Sequence, residues 1–298
     1  MELRDIEIFL TLADELHFGR TAERLRLTPA RVTQAVKKQE RQIGALLFER
    51  SSRRVRLTPV GEQLRKDLWP LYAGLKESMQ RAKMAAQGKT ARLRIGLIPA
   101  NVHDLRPYWA AFRTHHPYCE LQLGYIPYVD PFRALRRGEI DILVTWLPVE
   151  EPDLTVGPLL FQDRRLLAVA ADHELAGRSS ISVEAVAHFQ HSGHPTSLPD
   201  YWVDSFVPFH TPGGHLLERG PSATNNDEVF LLVSTGQIVN LMAAHMPRYF
   251  SRPDIAWVPV TDMPPLTFAP VWRPETENDL IRAFARVVTD LGPLPPHL

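Results

Sequence analysis

Two neighbouring stretches of the sequence, ELHFGRTAERL at residues 15–25 and TPARVTQAVKKQERQIG at residues 28–44, decide how this chain begins to fold. In the second stretch Thr28 is an N-cap residue, Pro29 occupies the first helical position, and Gly44 supplies a left-handed stop. The first stretch predicts a shorter helix that ends just before this one. Two helices joined by a short turn, the second one capped, are the pattern of a helix-turn-helix.

The predicted second helix has two different faces. Its core face carries Val32, Ala35, Val36 and Ile43 at helical spacing. Its opposite face is polar and basic, and the side chains there, which can hydrogen-bond to base edges and phosphates, are Arg31, Thr33, Gln34, Lys37, Lys38 and Arg41. The pattern favours a helix that reads DNA, and the alternative is a solvated basic face on a helical bundle.

The sequence on either side of these stretches predicts a winged unit. Residues 3–16 read as an amphipathic helix, and the short helix of the first stretch is predicted at Arg20–Leu25, entered through Gly19. Leu46–Arg50 and Arg54–Leu57 read as two brief strands around a basic tip. Such a hairpin is suited to lie over a groove or the phosphate backbone.

A long amphipathic helix is predicted next, capped by Thr58 and Pro59. Apolar residues recur along it at steps of three or four, namely Val60, Leu64, Leu68, Leu71, Leu75, Met79, Ala82 and Ala86. Its roughly 28 residues span about 42 Å, which exceeds the needs of a small domain. We therefore predict a dimer seam, with packing on the chain's own core as the alternative and a kink at Pro70 in either case.

Charge and proline content both change near residue 88. Residues 1–88 carry 17 Lys and Arg against 11 Asp and Glu, a net charge of +6, whereas residues 89–298 carry 17 against 23, a net charge of −6. Three of the 26 prolines precede residue 89, which favours helices before it and short elements after it. The basic end is the candidate for a polyanionic partner.

After residue 88, strands and helices are predicted to alternate, as in βαβ units around a parallel sheet. The predicted strands are Leu93–Ile98, Glu120–Leu123, Ile140–Val144 and Leu166–Ala171, and the predicted helices are Leu105–His115, Pro131–Arg137, Val229–Ser234 and Ile238–His245. The chain from Phe268 to Leu291 is expected to add one strand and a final helix to the first lobe of this region.

Four N-terminal segments resemble the LysR-type transcriptional regulators: Met1–Phe9, Glu15–Leu25, Gly44–Arg50 and Val55–Gly61. Weaker similarity continues through residues 93–96, 138–141, 172–176 and 234–236. The resemblance implies an α/β protein with an N-terminal winged helix-turn-helix, a long linker helix and a two-lobed, Rossmann-like effector domain similar to periplasmic binding proteins. It also implies sequence-specific regulation of transcription, modulated by a small organic effector bound between the lobes.

The resemblance implies the following division of the chain. We expect residues 1–58 to form the winged helix-turn-helix DNA-binding domain, residues 59–88 the linker and dimerisation helix, and residues 89–298 the effector-binding domain. Within the last, lobe 1 takes about residues 91–163 and 267–298, and lobe 2 takes about residues 164–266.

The resemblance also implies the DNA contacts and the partners. Thr33 and Gln34 fall where the family's recognition helix meets bases, and Arg53 falls where a wing residue approaches the minor groove. The candidate DNA-binding set is Thr28, Ala30, Arg31, Thr33, Gln34, Lys37, Lys38, Arg50, Arg53 and Arg54. The order Pro29-Ala30 departs from the family's usual Gln-Pro, and Gln34 stands where Arg is usual. The expected partners are double-stranded DNA carrying an interrupted inverted repeat and a second copy of the chain, with pairing of dimers and contact with RNA polymerase as further expectations.

The effector is expected at the carboxyl ends of the predicted strands. The candidate contacts are Ala100, Asn101, Tyr128, Trp146, His194 and Asn226. Similar regulators often present a hydroxyl where Ala100 stands, and Tyr128 and Trp146 offer flat apolar faces. We therefore expect an aromatic or weakly charged effector, and the alternative is a closed domain with packed aromatics.

The sequence lacks the motifs of the common enzyme classes, including a Walker loop, a Gly-x-Ser-x-Gly elbow and a His-Glu-x-x-His helix. His188, His191 and His194 are spaced by three but have no carboxylate or Cys to complete a metal shell. We expect no catalysis, no metal and no cofactor, and the rival interpretation of residues 89–298 is a bare solute-binding protein. Without an apolar run of membrane-spanning length or a signal-peptide core, the expected location is the cytoplasm, with no membrane partner.

Overall fold

The computed structural model of the chain describes residues 2–50, 55–86, 88, 90–195 and 197–295. The chain forms two compact units, Met1–Thr90 and Ala91–Leu298, and each is described by itself. Among the described residues, no helix is both long enough and apolar enough to cross a bilayer.

The first unit begins with three helices, followed by a hairpin and a long helix. Its elements are α1 (Leu3–Glu15), α2 (Phe18–Leu25), α3 (Pro29–Ile43), β1 (Phe48–Arg50), β2 (Val55–Leu57) and α4 (Pro59–Ala86). The caps predicted for α3 are confirmed, since the Thr28 side chain accepts a hydrogen bond from Arg31 N at 3.2 Å and Gly44 has a φ of 80°. The predicted start of α2 at Arg20 is wrong, because His17 is the N-cap and its Nδ1 accepts from Arg20 N at 3.2 Å.

The core of the first unit lies between α1 and α3. Ile8, Phe9 and Leu12 of α1 meet the completely buried Val32 and Val36 of α3, and Ala35 is buried beside them. Ile43, predicted to belong to this face, is 38% exposed. The reason is that α3 ends there, and the preceding buried positions are taken by the polar residues Gln39 and Glu40.

Two polar contacts fix α3 against its neighbours. The buried side chain of Gln39 donates to Asp5 O at 2.8 Å, which joins α3 to α1. Glu40 accepts hydrogen bonds from Leu47 N at 3.0 Å and Phe48 N at 3.3 Å, which joins the end of α3 to β1. These contacts orient α3 through the amide nitrogen of Gln39 and the carboxylate of Glu40, while Oε1 of Gln39 is buried without a hydrogen-bond partner among the described residues.

The predicted wing strands form an antiparallel pair in which Phe48 faces Leu57. The tip of the hairpin lies outside the described residues. Thr58 caps α4, since its Oγ1 accepts from Gly61 N at 3.0 Å, and the same hydroxyl donates to Leu46 O at 2.7 Å, just before β1. Any side chain at Gly61 would meet Leu47 O, because a Cβ built there lies 2.1 Å from that atom.

The apolar stripe of α4 divides into two parts. Leu64 and Leu68 pack against the core of the first unit, together with Trp69 and Tyr72. Further along, Leu71, Leu75 and Met79 remain 69%, 44% and 56% exposed. The chain's own core therefore covers the first turns of the stripe, as the alternative interpretation expected, and the later residues are uncovered in the single chain.

The second unit begins with a mixed sheet. Its first elements are β3 (Ala91–Leu97), α5 (Arg106–His115), β4 (Cys119–Tyr125), α6 (Arg133–Arg136), β5 (Ile142–Trp146), β6 (Thr155–Val156) and β7 (Phe161–Asp163). Strands β3, β4 and β5 are parallel, as predicted, although α6 is shorter than the predicted Pro131–Arg137.

The remaining elements form a second sheet and then return to the first. They are β8 (Arg165–Ala170), a 3-10 turn (Val183–His188), β9 (His191–Gly193), α7 (Asp200–Phe206), β10 (Arg219–Ser222), α8 (Asn226–Ser234), β11 (Asn240–Ala243), α9 (Met246–Tyr249), β12 (Ile255–Val260), β13 (Leu266–Trp272) and α10 (Asp279–Leu291). Strand β13 pairs antiparallel with β5, so the first sheet has the order β4-β3-β5-β13-β6, and β7 also pairs with β13. The predicted return of the chain's end to the first lobe is confirmed, whereas a purely parallel sheet is wrong.

The prediction of a helix at Ile238–His245 is also wrong. Asn240–Ala243 is strand β11, which pairs antiparallel with β8 in a sheet ordered β11-β8-β12. All four residues are buried. A short run buried on every side shows no period, so its sequence does not separate a strand from a buried helix.

His191 predicts that the second unit is acid-sensitive. The side chain is completely buried, its Nε2 lies 3.1 Å from Val186 O, and burial lowers its pKa to about 4. The unfolded chain takes up a proton on this residue near pH 6.5 and the folded chain does not. The free energy of unfolding should therefore fall as the pH drops from about 6.5 towards 4, by about 2 kcal/mol at pH 5.

This dependence is measured by chemical denaturation of the wild-type chain and of His191→Gln at neutral and acidic pH. The variant should lose less stability on acidification than the wild type. The exposed His188 lies three residues earlier, and His188→Gln is the matched control. If the free energy of unfolding of His191→Gln fell with pH as steeply as that of the wild type, His191 would not be the source of the acid sensitivity.

Candidate DNA-binding face and effector cavity

The face of α3 opposite the core is exposed. Ala30, Gln34 and Lys37 form one row along the helix, with Arg31 beside it, and all four are exposed. Thr33 is half-buried, and its hydroxyl donates to Pro29 O at 2.9 Å, which leaves its oxygen free to accept. The Gln34 amide offers both a donor and an acceptor, as base edges require, and the nearby Arg31 and Lys37 supply the cations that phosphates require.

Two members of the predicted DNA-binding set have structural partners. Lys38 Nζ lies 3.3 Å from Oδ2 of the buried Asp5 and 3.6 Å from Oε1 of Glu2, so this cation holds α3 to the start of α1. The Thr28 hydroxyl caps α3. Arg53, Arg54 and the side chain of Arg50 lie outside the part of the chain that the structure describes.

The second unit contains a cavity of about 110 Å³, whose lining includes residues of both the six-stranded sheet and the three-stranded sheet. Five of the six predicted effector contacts line it, namely Ala100, Tyr128, Trp146, His194 and Asn226. Asn101 is buried but is not among the lining residues. The cavity therefore lies where the carboxyl ends of β3 and β5 meet the second lobe, as the α/β rule predicts.

Stacked aromatic rings form one wall of the cavity. Trp146, at the end of β5, stacks on Trp202 of α7 with ring centroids 3.7 Å apart and an interplanar angle of 18°. Trp146 Nε1 also donates to Trp202 O at 3.3 Å. Phe206 packs against Trp146 as well, with ring centroids 4.6 Å apart. This contact joins the first sheet to α7.

Several polar groups also reach the cavity. The Tyr128 hydroxyl donates to Ala223 O at 3.3 Å, and burial, with the charge of Glu228, raises the pKa of Tyr128. Burial, reinforced by the positive charge of Arg219, lowers the pKa of His194. Both side chains are therefore uncharged at neutral pH.

Arg219 is the cation of the lining. Its Nη2 donates to Val207 O at 2.6 Å and Pro208 O at 3.1 Å, and burial lowers its pKa. Because that nitrogen serves the backbone just after α7, the guanidinium is held in place with its Nε unpartnered among the described residues.

His245 lines the cavity from the end of β11. Its backbone N and its Nδ1 both lie close to Oδ2 of Asp163, at 2.9 Å and 2.7 Å. Both side chains are 3% exposed.

Sequence reasoning missed part of this lining: Trp202, Val203, Phe206, Arg219, Met242, His245 and Phe268. Three of them belong to α7, where no period or motif stands out, and the others lie on or close to β10, β11 and β13. His245 comes two residues after the buried strand β11, a position that the sequence predicts to be helical.

Comparison with known families follows the same division of the chain. The model for bacterial regulatory helix-turn-helix proteins of the lysR family matches residues 3–62, and the model for the LysR substrate binding domain matches residues 86–292. The chain belongs to the LysR family of transcriptional regulators. Like the family, it pairs a helix-turn-helix DNA-binding domain with a domain for a small effector.

Individual relatives of this LysR-family chain include two curated regulators. AlsR of Bacillus subtilis (strain 168) is 25% identical over 96% of this chain and 95% of its own length. TfdS of Cupriavidus pinatubonensis is 32% identical over 59% of each chain.

A solved structure shows the same fold. Full-length CbnR, crystallised in complex with its target DNA, matches 98% of this chain and 100% of its own with a TM-score of 0.67 at 18% identity. The fold class expected from the sequence, a winged helix-turn-helix, a long helix and a two-lobed α/β domain, is confirmed.

Proposed function

We propose that this LysR-family regulator grips double-stranded DNA with the exposed row of α3 and with its wing, and that a small organic molecule in the cavity of the second unit modulates its activity. The observation that supports the first part is the row formed by Ala30, Gln34 and Lys37, exposed on a helix whose other face is buried. In this assignment Gln34 and Thr33 meet base edges, while Arg31, Lys37 and the wing arginines Arg50, Arg53 and Arg54 meet phosphates or the minor groove.

Lys38 and Thr28 take a different part in this proposal. The contact of Lys38 with the buried Asp5 makes it a residue that positions the helix, and Thr28 is its cap. Both support the reading face without touching the bases.

The proposed effector is a small, ring-shaped and largely apolar molecule. An apolar cavity somewhat larger than this one, about 150 Å³, takes a single aromatic ring. The present cavity has about 110 Å³ and is walled by Trp146, Trp202 and Phe268. Ala100 stands where similar regulators present a hydroxyl. Residues 89–298 have a net charge of −6, so this region does not attract anions in general.

We further propose that the exposed part of the α4 stripe joins two copies of the chain. Leu71, Leu75 and Met79 lie along one side of α4 and remain uncovered in the single chain. A two-fold pair presents two recognition helices to an interrupted inverted repeat. Pairing of dimers and contact with RNA polymerase extend the same proposal.

The proposed role is regulatory rather than catalytic, and the proposed location is the cytoplasm, where bacterial DNA lies. The helix-turn-helix match over residues 3–62 supports both statements and disfavours a bare solute-binding protein. A gel shift with DNA from the chain's own upstream region separates these two functions.

The first prediction separates specificity from affinity in α3. Gln34→Ala should cost about 1–3 kcal/mol on a preferred site selected from random DNA and little on unselected DNA, because it removes a base contact. Lys37→Ala should weaken binding to every sequence and lower the salt slope by about one unit, because it removes a phosphate contact. Binding is measured by gel shift at several salt concentrations.

Lys38→Ala is the matched control for Lys37→Ala. It should lower the stability of the first unit, since it leaves Asp5 buried without its cation, and should leave the salt slope nearly unchanged. Equal salt slopes for the two lysine variants would count against the assignment.

The second prediction concerns the effector. A ligand present at about 100 times its Kd should stabilise the chain by about 2.7 kcal/mol and raise Tm by about 5–11 °C. In a thermal-shift screen, single-ring compounds should give such shifts, and Trp146→Ala and Tyr128→Ala should abolish them. Tyr118→Ala removes an exposed aromatic side chain outside the cavity and is the control. Shifts that survive both cavity substitutions, or that come from short aliphatic acids alone, would show that the cavity is misassigned.

The third prediction places the dimer interface on α4. Leu71→Asp puts a charge on the exposed stripe, which costs several kcal/mol if a second copy covers it. Light scattering should then report a smaller particle than the wild type. Lys66→Asp, at an exposed position off the stripe, should leave the particle size unchanged. A dimer that persists in Leu71→Asp would refute the interface.

A further inference from the structure

A buried histidine and aspartate meet beside the effector cavity. Asp163 ends β7, the last strand before the chain crosses into the second lobe, and His245 follows β11 of that lobe. Oδ2 of Asp163 receives the backbone N–H of His245 at 2.9 Å and contacts Nδ1 of its ring at 2.7 Å. The pair therefore ties one wall of the cavity to the crossover between the two sheets.

The other ring nitrogen of His245 has no hydrogen-bond partner among the described residues. His245 lines the cavity, it is 3% exposed, and its Nε2 is buried without a partner. An unpaired buried polar atom destabilises the fold, so it calls for an explanation. A ligand atom in the cavity supplies one.

Asp163 sets the chemistry of that nitrogen. Oδ2 of Asp163 lies beside both the backbone N–H and Nδ1 of His245, so in the neutral ring the proton belongs on Nδ1 and the lone pair on Nε2. Arg165 is a further partner of this carboxylate. Burial lowers the pKa of Arg165 to about 10, which keeps it charged at neutral pH, and its charge interacts with Asp163.

We infer that Nε2 of His245 is the polar anchor of the effector cavity and accepts a hydrogen bond from the ligand, so that the effector is a small ring carrying a hydroxyl or N–H donor. This inference rests on the proposed role of the cavity as the effector site. It adds a donor group to the ring-shaped ligand, because an ionised carboxylate on the ligand would have no proton to donate to Nε2.

Asp163 is a positioning residue in this scheme. It acts on the ligand only through the tautomer and orientation of His245, as a carboxylate behind a metal-bound or catalytic histidine does. Because β8 starts at Arg165, two residues after Asp163, a ligand held by His245 is coupled to the start of the second sheet.

Three probes of similar size test the inference on the full-length chain: phenol, benzene and benzoate. Phenol should bind the wild type about 3- to 10-fold more tightly than benzene, the factor expected for one hydrogen bond, and benzoate should bind more weakly than phenol. His245→Asn keeps an N–H donor for Asp163 and lacks the atom at Nε2. It should bring phenol to the affinity of benzene while benzene itself is unaffected.

His188→Asn, which alters an exposed histidine outside the cavity, should leave the ratio of phenol to benzene unchanged. A second measurement needs no variant to fold: the ¹⁵N resonances of the His245 ring in the wild type. Nδ1 should be protonated and Nε2 unprotonated, and the Nε2 resonance should move on addition of phenol but not of benzene.

The outcomes separate this inference from the proposed function. Equal binding of phenol and benzene leaves the cavity as a ligand site and overturns the role of His245. A preference for benzoate, or a protonated Nε2, overturns it as well. If none of the probes binds, both this inference and the ring-shaped effector fail, while DNA binding is judged by its own assay.

Discussion

The DNA-binding unit depends on the complete burial of one face of α3. Val32, Ala35 and Val36 have no exposed surface, and each buried side chain of this size contributes about 1–3 kcal/mol to the free energy of unfolding. A helix fixed on one side must expose the other, so the row from Ala30 to Lys37 faces solvent as a consequence of packing. The paired Gln39 and Glu40 then hold the helix at one rotation about its axis.

In the second unit, the corresponding constraint is the position of α7. Two arginines donate to the carbonyls at its C-terminal end: Arg165 to Ser205 O at 3.2 Å and to Phe206 O, and Arg219 to the backbone that follows. Cations at this end also complement the helix dipole. By fixing the end of α7, these two arginines hold Trp202 against Trp146. The position of this cavity wall therefore depends on two charged side chains that are not part of the Trp146–Trp202 stack.

Sequence reasoning succeeded where local rules decide the structure. The cap at Thr28, the proline after it and the stop at Gly44 act within single turns, and α3 has the predicted bounds. Ala100 and Tyr128 come after β3 and β4, and Trp146 ends β5, so all three line the cavity at the carboxyl ends of strands that the alternation of elements predicts to be parallel.

Sequence reasoning failed where contacts between distant parts of the chain determine the structure. The strand at Asn240–Ala243 is specified by its pairing with β8, and the antiparallel β13 by its return from the far end of the chain. Lys38 looked like a phosphate contact because its carboxylate partner, Asp5, is 33 residues away in sequence. The lining from α7 was missed for the same reason, since nothing local marks it.

The return of β13 and α10 to the first sheet also sets the order in which the protein can fold during synthesis. Phe284 of α10 stacks on Trp109 of α5 at 5.5 Å, and the Tyr108 hydroxyl lies 2.8 Å from Gly292 O. The first lobe therefore stays incomplete until α10 has left the ribosome, whereas the elements of the first unit emerge much earlier. During this interval a complete DNA-binding unit is attached to an effector unit whose first sheet still lacks strand β13. Because long-range strand pairing is slow, the incomplete sheet stays accessible to chaperones.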